Sequence, residues 1–175
     1  MTAGGGSRGS DDAGAASAGS AGAPREPGRG ACEPGGAAGG SCSVLIEIDH
    51  VAIAVADLDA AVAWYETMFG ATVAHRERIE SDGVEEALLK VADSYIQLLT
   101  PVTPESPVAR YLERHGEGLH HIGYRVADVA SALETLKAQG ARVIDASPRP
   151  GSRGTTVAFV HPKASFGTLI ELVQE

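Results

Sequence analysis

Bulky apolar positions alternate with small or polar ones from His50 to the end of the stretch Glu47–Val55. Val51, Ile53 and Val55 point one way, and His50, Ala52 and Ala54 the other, which predicts a strand with one bulky and one small face. The bulky face suits packing on a helix. The small face, with a histidine on it, suits the wall of a cleft. The period then changes. Leu58, Ala61, Val62, Tyr65 and Phe69 recur at helical spacing behind Asp57, a good N-cap, and ahead of Gly70, a good helix stop. Strands are expected next at Thr72–Ile79, Val84–Val91 and Tyr95–Thr100, separated by the turn residues Ser81-Asp82-Gly83 and Asp93-Ser94.

The same order of patterns then repeats. A Pro- and Thr-rich linker leads to Ser106-Pro107, an N-cap and first-turn proline for a short helix over Val108–His115. Leu119–Val126 repeats the first strand, Asp128–Gln139 the helix, and Ala141–Ala146, Thr155–Val160 and Thr168–Gln174 the three later strands, with SPRPGSRG as a loop. The two β-α-β-β-β units are offset by 71 residues at His50 and His121, and by 74 at Gln97 and Glu171. An offset held this closely through five elements marks an internal duplication.

The duplication changes the meaning of four residues. His50 and His121 occupy matching places on the first strands, Gln97 and Glu171 on the last. A lone strand histidine is ordinarily a core residue with its hydrogen bonds satisfied, and a lone edge glutamate is ordinarily solvated. Four potential donors in repeat-related positions instead predict a metal site. Imidazole, amide oxygen and carboxylate suit a divalent first-row ion, which at octahedral coordination keeps two positions open. His120 aligns with Asp49 and is expected to point off the cleft face. His75 and His115 read as surface residues, and His161 sits in a turn at the possible mouth of a pocket.

Composition narrows the partners. Residues 1–43 contain no Val, Ile, Leu or aromatic residue, and 23 of them are Gly or Ala, so this segment is expected to be a disordered tail. It lacks the apolar stretch of a secretory signal, and Asp11, Asp12, Glu26 and Glu33 argue against a transit peptide. Cys32 and Cys42 both fall within it, which excludes a disulfide framework in the domain and favours the cytoplasm. Three arginines against four acids in the tail leave −8 of the net −9 on residues 44–175. An acidic domain without a basic cluster, and without a run long enough to cross a bilayer, is not built for nucleic acid or membrane. A small-molecule partner is the expectation.

The motifs IDHVAIAV, GVEEALL, SYIQLLTP, SPVARYLERHGEGLHHIGYRV and FVHPKASFGTLIELVQ resemble the vicinal oxygen chelate (glyoxalase/bleomycin resistance/dioxygenase-like) superfamily and, within it, the methylmalonyl-CoA epimerases. The likeness covers nearly all of residues 44–175 and none of the tail. It implies an α+β fold in which two tandem βαβββ modules form a curled eight-stranded mixed sheet around a metal-binding cleft, helices outside. Module one would span 44–103, a linker and short helix 104–117, and module two 118–175. It implies a divalent ion of the Co2+ type (Mn2+, Ni2+, Zn2+ or Mg2+ being alternatives) on His50, Gln97, His121 and Glu171. It also implies an acid–base pair of Glu171 and Glu86, with Glu85 on the opposite face, interconverting the two methylmalonyl-CoA epimers through a metal-stabilised enolate. A homodimer is expected from the family alone. Arg149, Arg153 and Lys163 are candidates for the coenzyme A phosphates, although solvated loop cations are the plainer reading. A glyoxalase-type isomerase acting on a glutathione hemithioacetal and a non-catalytic antibiotic-sequestering protein of the same scaffold are the alternatives. An iron dioxygenase would need two histidines and one carboxylate, and Gln97 argues against it.

Overall fold

In the computed structural model the described residues are 43–175; the expected disorder of the tail, with Cys32 and Cys42, lies outside them. Module one runs β1 (Glu47–Ala54), α1 (Leu58–Phe69), β2 (Val73–Ile79), β3 (Val84–Val91) and β4 (Ser94–Pro101). A short α2 (Pro107–His115) leads to β5 (Gly118–Arg125), α3 (Val129–Ala138), β6 (Arg149–Pro150), β7 (Thr156–Val160) and β8 (Ile170–Gln174). The helix starts follow the capping chemistry. Asp57 accepts the Ala60 N–H at 2.9 Å, Asp128 accepts the Ser131 N–H at 2.6 Å, and the Ser106 hydroxyl accepts that of Val108 at 3.2 Å. Gly70 closes α1 at φ 63°, the left-handed conformation that a side chain resists.

All eight strands form one sheet in the order β2-β3-β4-β1-β5-β8-β7-β6. The two first strands pair antiparallel at its centre, and each pairs parallel with the last strand of its own module, β1 with β4 and β5 with β8. The sheet curls until its ends meet. Arg149 on the last strand in this order bonds Asp82 in the turn after the first, and the Arg153 N–H reaches Glu77 on β2. Helices cover the outside. Leu58 with Ala87, Leu89 and Leu98 packs under α1; Val129, Ala132 and Leu133 of α3 pack on Ala158, Val160 and Leu172. Burying each large aliphatic side chain here stabilises by about 1.5–3 kcal/mol. Helix α2 plugs one end of the concave side, setting Val108 against Ala52, Ala54 and Leu99. Among the described residues no helix is long and apolar enough to cross a membrane.

One expected strand is absent. Ala141–Ala146 keeps a single bridge, Val143 to Val160, and β6 forms instead at Arg149–Pro150 within the expected loop. Asp145 explains the interruption, because its carboxylate takes the Phe159 N–H at 2.8 Å. Pro148 and Pro150 offer no N–H of their own, so pairing there can only be short and at an edge. The last strand also starts later than expected, at Ile170, after a 3-10 turn over Pro162–Ala164.

Candidate active site

Strand period and sheet curvature bring His50 (β1), Glu86 (β3), Gln97 (β4), His121 (β5) and Glu171 (β8) to one cleft of about 330 Å³. All five are buried. His50 Nε2 lies 3.0 Å from His121 Nε2 and 2.9 Å from Glu171 Oε2, and His121 Nε2 is 3.2 Å from that same oxygen. His50, His121 and Glu171 thus present three donor atoms within 4.8 Å of one another, a group able to hold a metal ion. Gln97 donates its amide N–H to Glu86 Oε2 at 2.5 Å, while Gln97 Oε1 and Glu86 Oε1 have no hydrogen-bond partner. Buried acceptors without partners are rare in native proteins and point to a missing ion or ligand. Two imidazole nitrogens, a carboxylate and a free amide oxygen fit a borderline divalent cation. Glu85, by contrast, faces outward and pairs with Arg76 at 2.7 Å.

The place for the His50 ring is made by Gly123, its neighbour on β5, where a Cβ would collide with the imidazole. Its Nδ1–H donates to Asp49 Oδ1 at 2.8 Å. Asp49 is fully buried and also accepts Arg153 Nη2 at 2.8 Å on Oδ1 and Arg125 Nη2 at 3.0 Å on Oδ2. His120, the counterpart of Asp49 in the repeat, backs the other histidine with its Nδ1 2.8 Å from that of His121. It therefore borders the cleft, contrary to the expectation that it would point away.

Charge in the cleft follows from these contacts. Burial alone would raise the Glu171 carboxyl, but hydrogen bonds from His121 and His50 hold it well below the ordinary range. Burial works against a charged His50 too, yet Asp49 and Glu171 outweigh it and lift the ring to about 9. His121 is pushed down by burial. His120 falls to about 4 through burial and the neighbouring His121, leaving a neutral ring whose Nδ1 can accept a hydrogen bond from the His121 Nδ1–H. Burial raises Glu86, and the Gln97 amide at its Oε2 does not offset this. The two glutamates in one cleft are thus pushed apart, one toward the acid form and one toward the carboxylate, the difference an acid–base pair requires.

The rim departs from expectation. Arg153 lies in the cleft wall, bonded to Asp49 and stacked 4.8 Å over the Tyr95 ring. Arg149 pairs with Asp82 and Asp145 and sits 5.4 Å over Phe159. Neither is a solvated loop cation, because each is neutralised by a carboxylate. Lys163 and His115 are exposed as expected. His161 accepts the Lys163 N–H at the start of its turn and is not among the residues lining the cleft. His75 is half-buried and bonded to Glu77 rather than free at the surface. Sequence reasoning missed Asp49. The available signal was an acid on the helix-facing side of an otherwise apolar strand, a position that requires partners.

Residues 49–159 match the family described as the Glyoxalase/Bleomycin resistance protein/Dioxygenase superfamily. The ethylmalonyl-CoA/methylmalonyl-CoA epimerase of Cereibacter sphaeroides is 41% identical over 129 residues, covering 73% of this chain and 96% of that protein. Among solved structures, a methylmalonyl-CoA epimerase in complex with methylmalonyl-CoA and NH4+ is 43% identical with a TM-score of 0.73, covering 75% of this chain and 95% of that one. A variant of the Streptomyces coelicolor methylmalonyl-CoA epimerase in complex with 2-nitronate-propionyl-CoA is 42% identical with a TM-score of 0.73, covering 75% of this chain and 98% of that one.

Proposed function

The chain belongs to the glyoxalase/bleomycin resistance protein/dioxygenase superfamily, and from that premise we propose that it is a metal-dependent epimerase interconverting (2R)- and (2S)-methylmalonyl-CoA. The observation that carries the reading is the buried Glu86, which lines the same cleft as Glu171 and whose Oε1 has no hydrogen-bond partner. Inverting a carbon that bears hydrogen, methyl, carboxylate and thioester requires a proton to leave one face and another to arrive at the opposite face. Glu86 and Glu171 supply a base and an acid for the two faces, each taking the other's role in the reverse direction.

His50, Gln97, His121 and Glu171 are the residues that would hold the ion, Co2+ being the first choice and Mn2+, Ni2+, Zn2+ or Mg2+ the others. Such an ion supplies Lewis acidity where enolate charge develops on the thioester oxygen. The chain's own contribution is placement. Asp49 fixes the His50 ring, Gln97 anchors Glu86 by one oxygen and leaves the other free to take the α-proton, and the apolar residues Val84, Leu99 and Val108 limit water in the cleft. The substrate class is therefore an acyl-CoA with a carboxylate on the reacting carbon. A homodimer in the cytoplasm, with residues 44–175 as the working domain, belongs to the same reading.

The test is turnover of each pure methylmalonyl-CoA epimer by the metal-loaded protein, beside a glutathione hemithioacetal. Epimerisation of the first with no reaction of the second is expected. Isomerisation of the hemithioacetal alone would replace this reading with a glyoxalase, and binding of a small molecule without turnover would make the chain a sequestering protein.

A further inference from the structure

A two-base epimerisation leaves its acid and base exchanged. After a turnover in which Glu86 takes the α-proton and Glu171 gives one, Glu86 is protonated and Glu171 is a carboxylate. Another turnover in the same direction needs one proton to leave Glu86 and one to reach Glu171. Glu86 is fully buried on the cleft floor, and bound substrate would cover its free oxygen. A second way out lies behind it.

Alternation along β2 turns His75, Glu77 and Ile79 inward and Arg76 and Arg78 outward. Glu77 stands directly opposite Glu86 in the β2/β3 register. His75, Glu77 and Glu86 present one polar atom each within 4.8 Å of one another, and His75 Nε2 is 2.9 Å from Glu77 Oε2. The largest of these gaps admits a single bridging water. Glu86 has no exposure, whereas the Glu77 and His75 side chains are 40% and 35% exposed and both meet solvent. The Arg153 N–H donates to Glu77 Oε2 at 3.1 Å, tying this carboxylate to the Ser152–Gly154 3-10 turn, whose Ser152 and Arg153 line the cleft.

We propose that Glu77 and His75 form a proton relay connecting Glu86 to solvent while substrate occupies the cleft. The inference rests on the epimerase reading. In the outward direction the Glu86 O–H breaks and its proton passes to the Glu77 carboxylate, directly or through one water. His75 Nε2 then takes the proton from Glu77, and the cationic ring loses a proton from Nδ1 to bulk water. Each relay group ends as it began. Glu171 regains its proton from water after product leaves, so one proton is released and one taken up per cycle.

The relay is tested by running each epimer to partial conversion in D2O and comparing deuterium in recovered substrate with the amount epimerised. The metal-loaded wild type, His75→Ala, Glu77→Gln and Arg78→Ala are compared, with metal content measured for each. For the epimer whose exchange Glu86→Gln abolishes, the exchange-to-epimerisation ratio is expected to fall about tenfold in His75→Ala and Glu77→Gln, because Glu86 then returns the original proton. Added imidazole restores the ratio in His75→Ala and not in Glu77→Gln, and Arg78→Ala matches wild type. Glu77→Gln keeps an oxygen for the Arg153 N–H, so a merely structural role would leave its ratio unchanged. An unchanged ratio in both relay variants, or a loss in His75→Ala that imidazole does not restore, overturns the relay and leaves the epimerase reading standing. A wild type that neither exchanges nor epimerises removes both.

Discussion

Replacing Asp49 by Asn removes one charge and keeps the shape, and it acts on His50 without touching the cleft. The carboxylate accepts three hydrogen bonds: His50 and Arg153, both at 2.8 Å, on one oxygen, and Arg125 at 3.0 Å on the other. An amide cannot reproduce this. With its oxygen toward His50 and Arg153, its NH2 faces the Arg125 donor; flipped, it faces two donors. Breaking a buried charged network costs about 3–5 kcal/mol. Arg125 and Arg153 keep side-chain exposures of 25% and 16%, so water relieves part of this and about 2–4 kcal/mol is expected. Burial favours the neutral Asp49 acid, but His50, Arg153 and Arg125 outweigh it and hold the carboxyl at about 2 rather than 3.8. That difference corresponds to about 2 kcal/mol, present above pH 3.8 and lost as pH falls through about 2. Urea unfolding of chelator-treated protein reads the stability, and the variant lacks this acid-dependent component. Losing the partner of a ligating histidine lowers metal affinity about 10–100-fold, which equilibrium dialysis with Co2+ reads. A variant within about 0.5 kcal/mol of wild type and with undiminished Co2+ affinity would refute the argument that Asp49 orients His50.

Three further outcomes follow from the same geometry. Glu86→Gln lowers epimerisation by about 10²–10⁴-fold and abolishes α-proton exchange from one face, with metal content unchanged by elemental analysis; full turnover would remove Glu86 from the chemistry. Gly123→Ala places a methyl where the His50 ring lies, so Co2+ binding drops at least about tenfold and stability by about 1–3 kcal/mol, read by dialysis and thermal unfolding. Leu133→Ala, in the α3 core at 1% exposure, costs about 2–5 kcal/mol on chemical denaturation and leaves metal affinity intact.

Most of the fold was legible because periodicity and duplication agree. The alternation of Glu47–Val55, its echo after 71 residues and the caps at Asp57 and Asp128 describe two units; that they join through β1 and β5 is seen only in the order of the strands. Ala141–Ala146 misled because its apolar pattern suits a strand, whereas the Asp145 side chain takes the place of a backbone acceptor, a choice that depends on Phe159 across the gap. The convergence of His50, Gln97, His121 and Glu171 was readable from matched positions in the repeat. Their support was not. Arg153 meets Asp49 across 104 residues, from a loop whose sequence gives no hint of which strand it covers. His75 and Glu77 alternate inward along β2, but only the β2/β3 register sets Glu77 beside Glu86.

The central claim is that a cation held by His50, Gln97, His121 and Glu171 enables proton transfer at the α-carbon by the chain's own carboxylates. Its most direct test measures α-deuterium exchange and epimerisation of methylmalonyl-CoA on one sample, before chelator, after chelator and after Co2+ is returned, with bound metal counted at each stage. A single divalent ion per chain, both activities lost together on chelation and both restored with the metal, is the predicted result. Metal-free protein that exchanges and epimerises at the original rate would contradict the account.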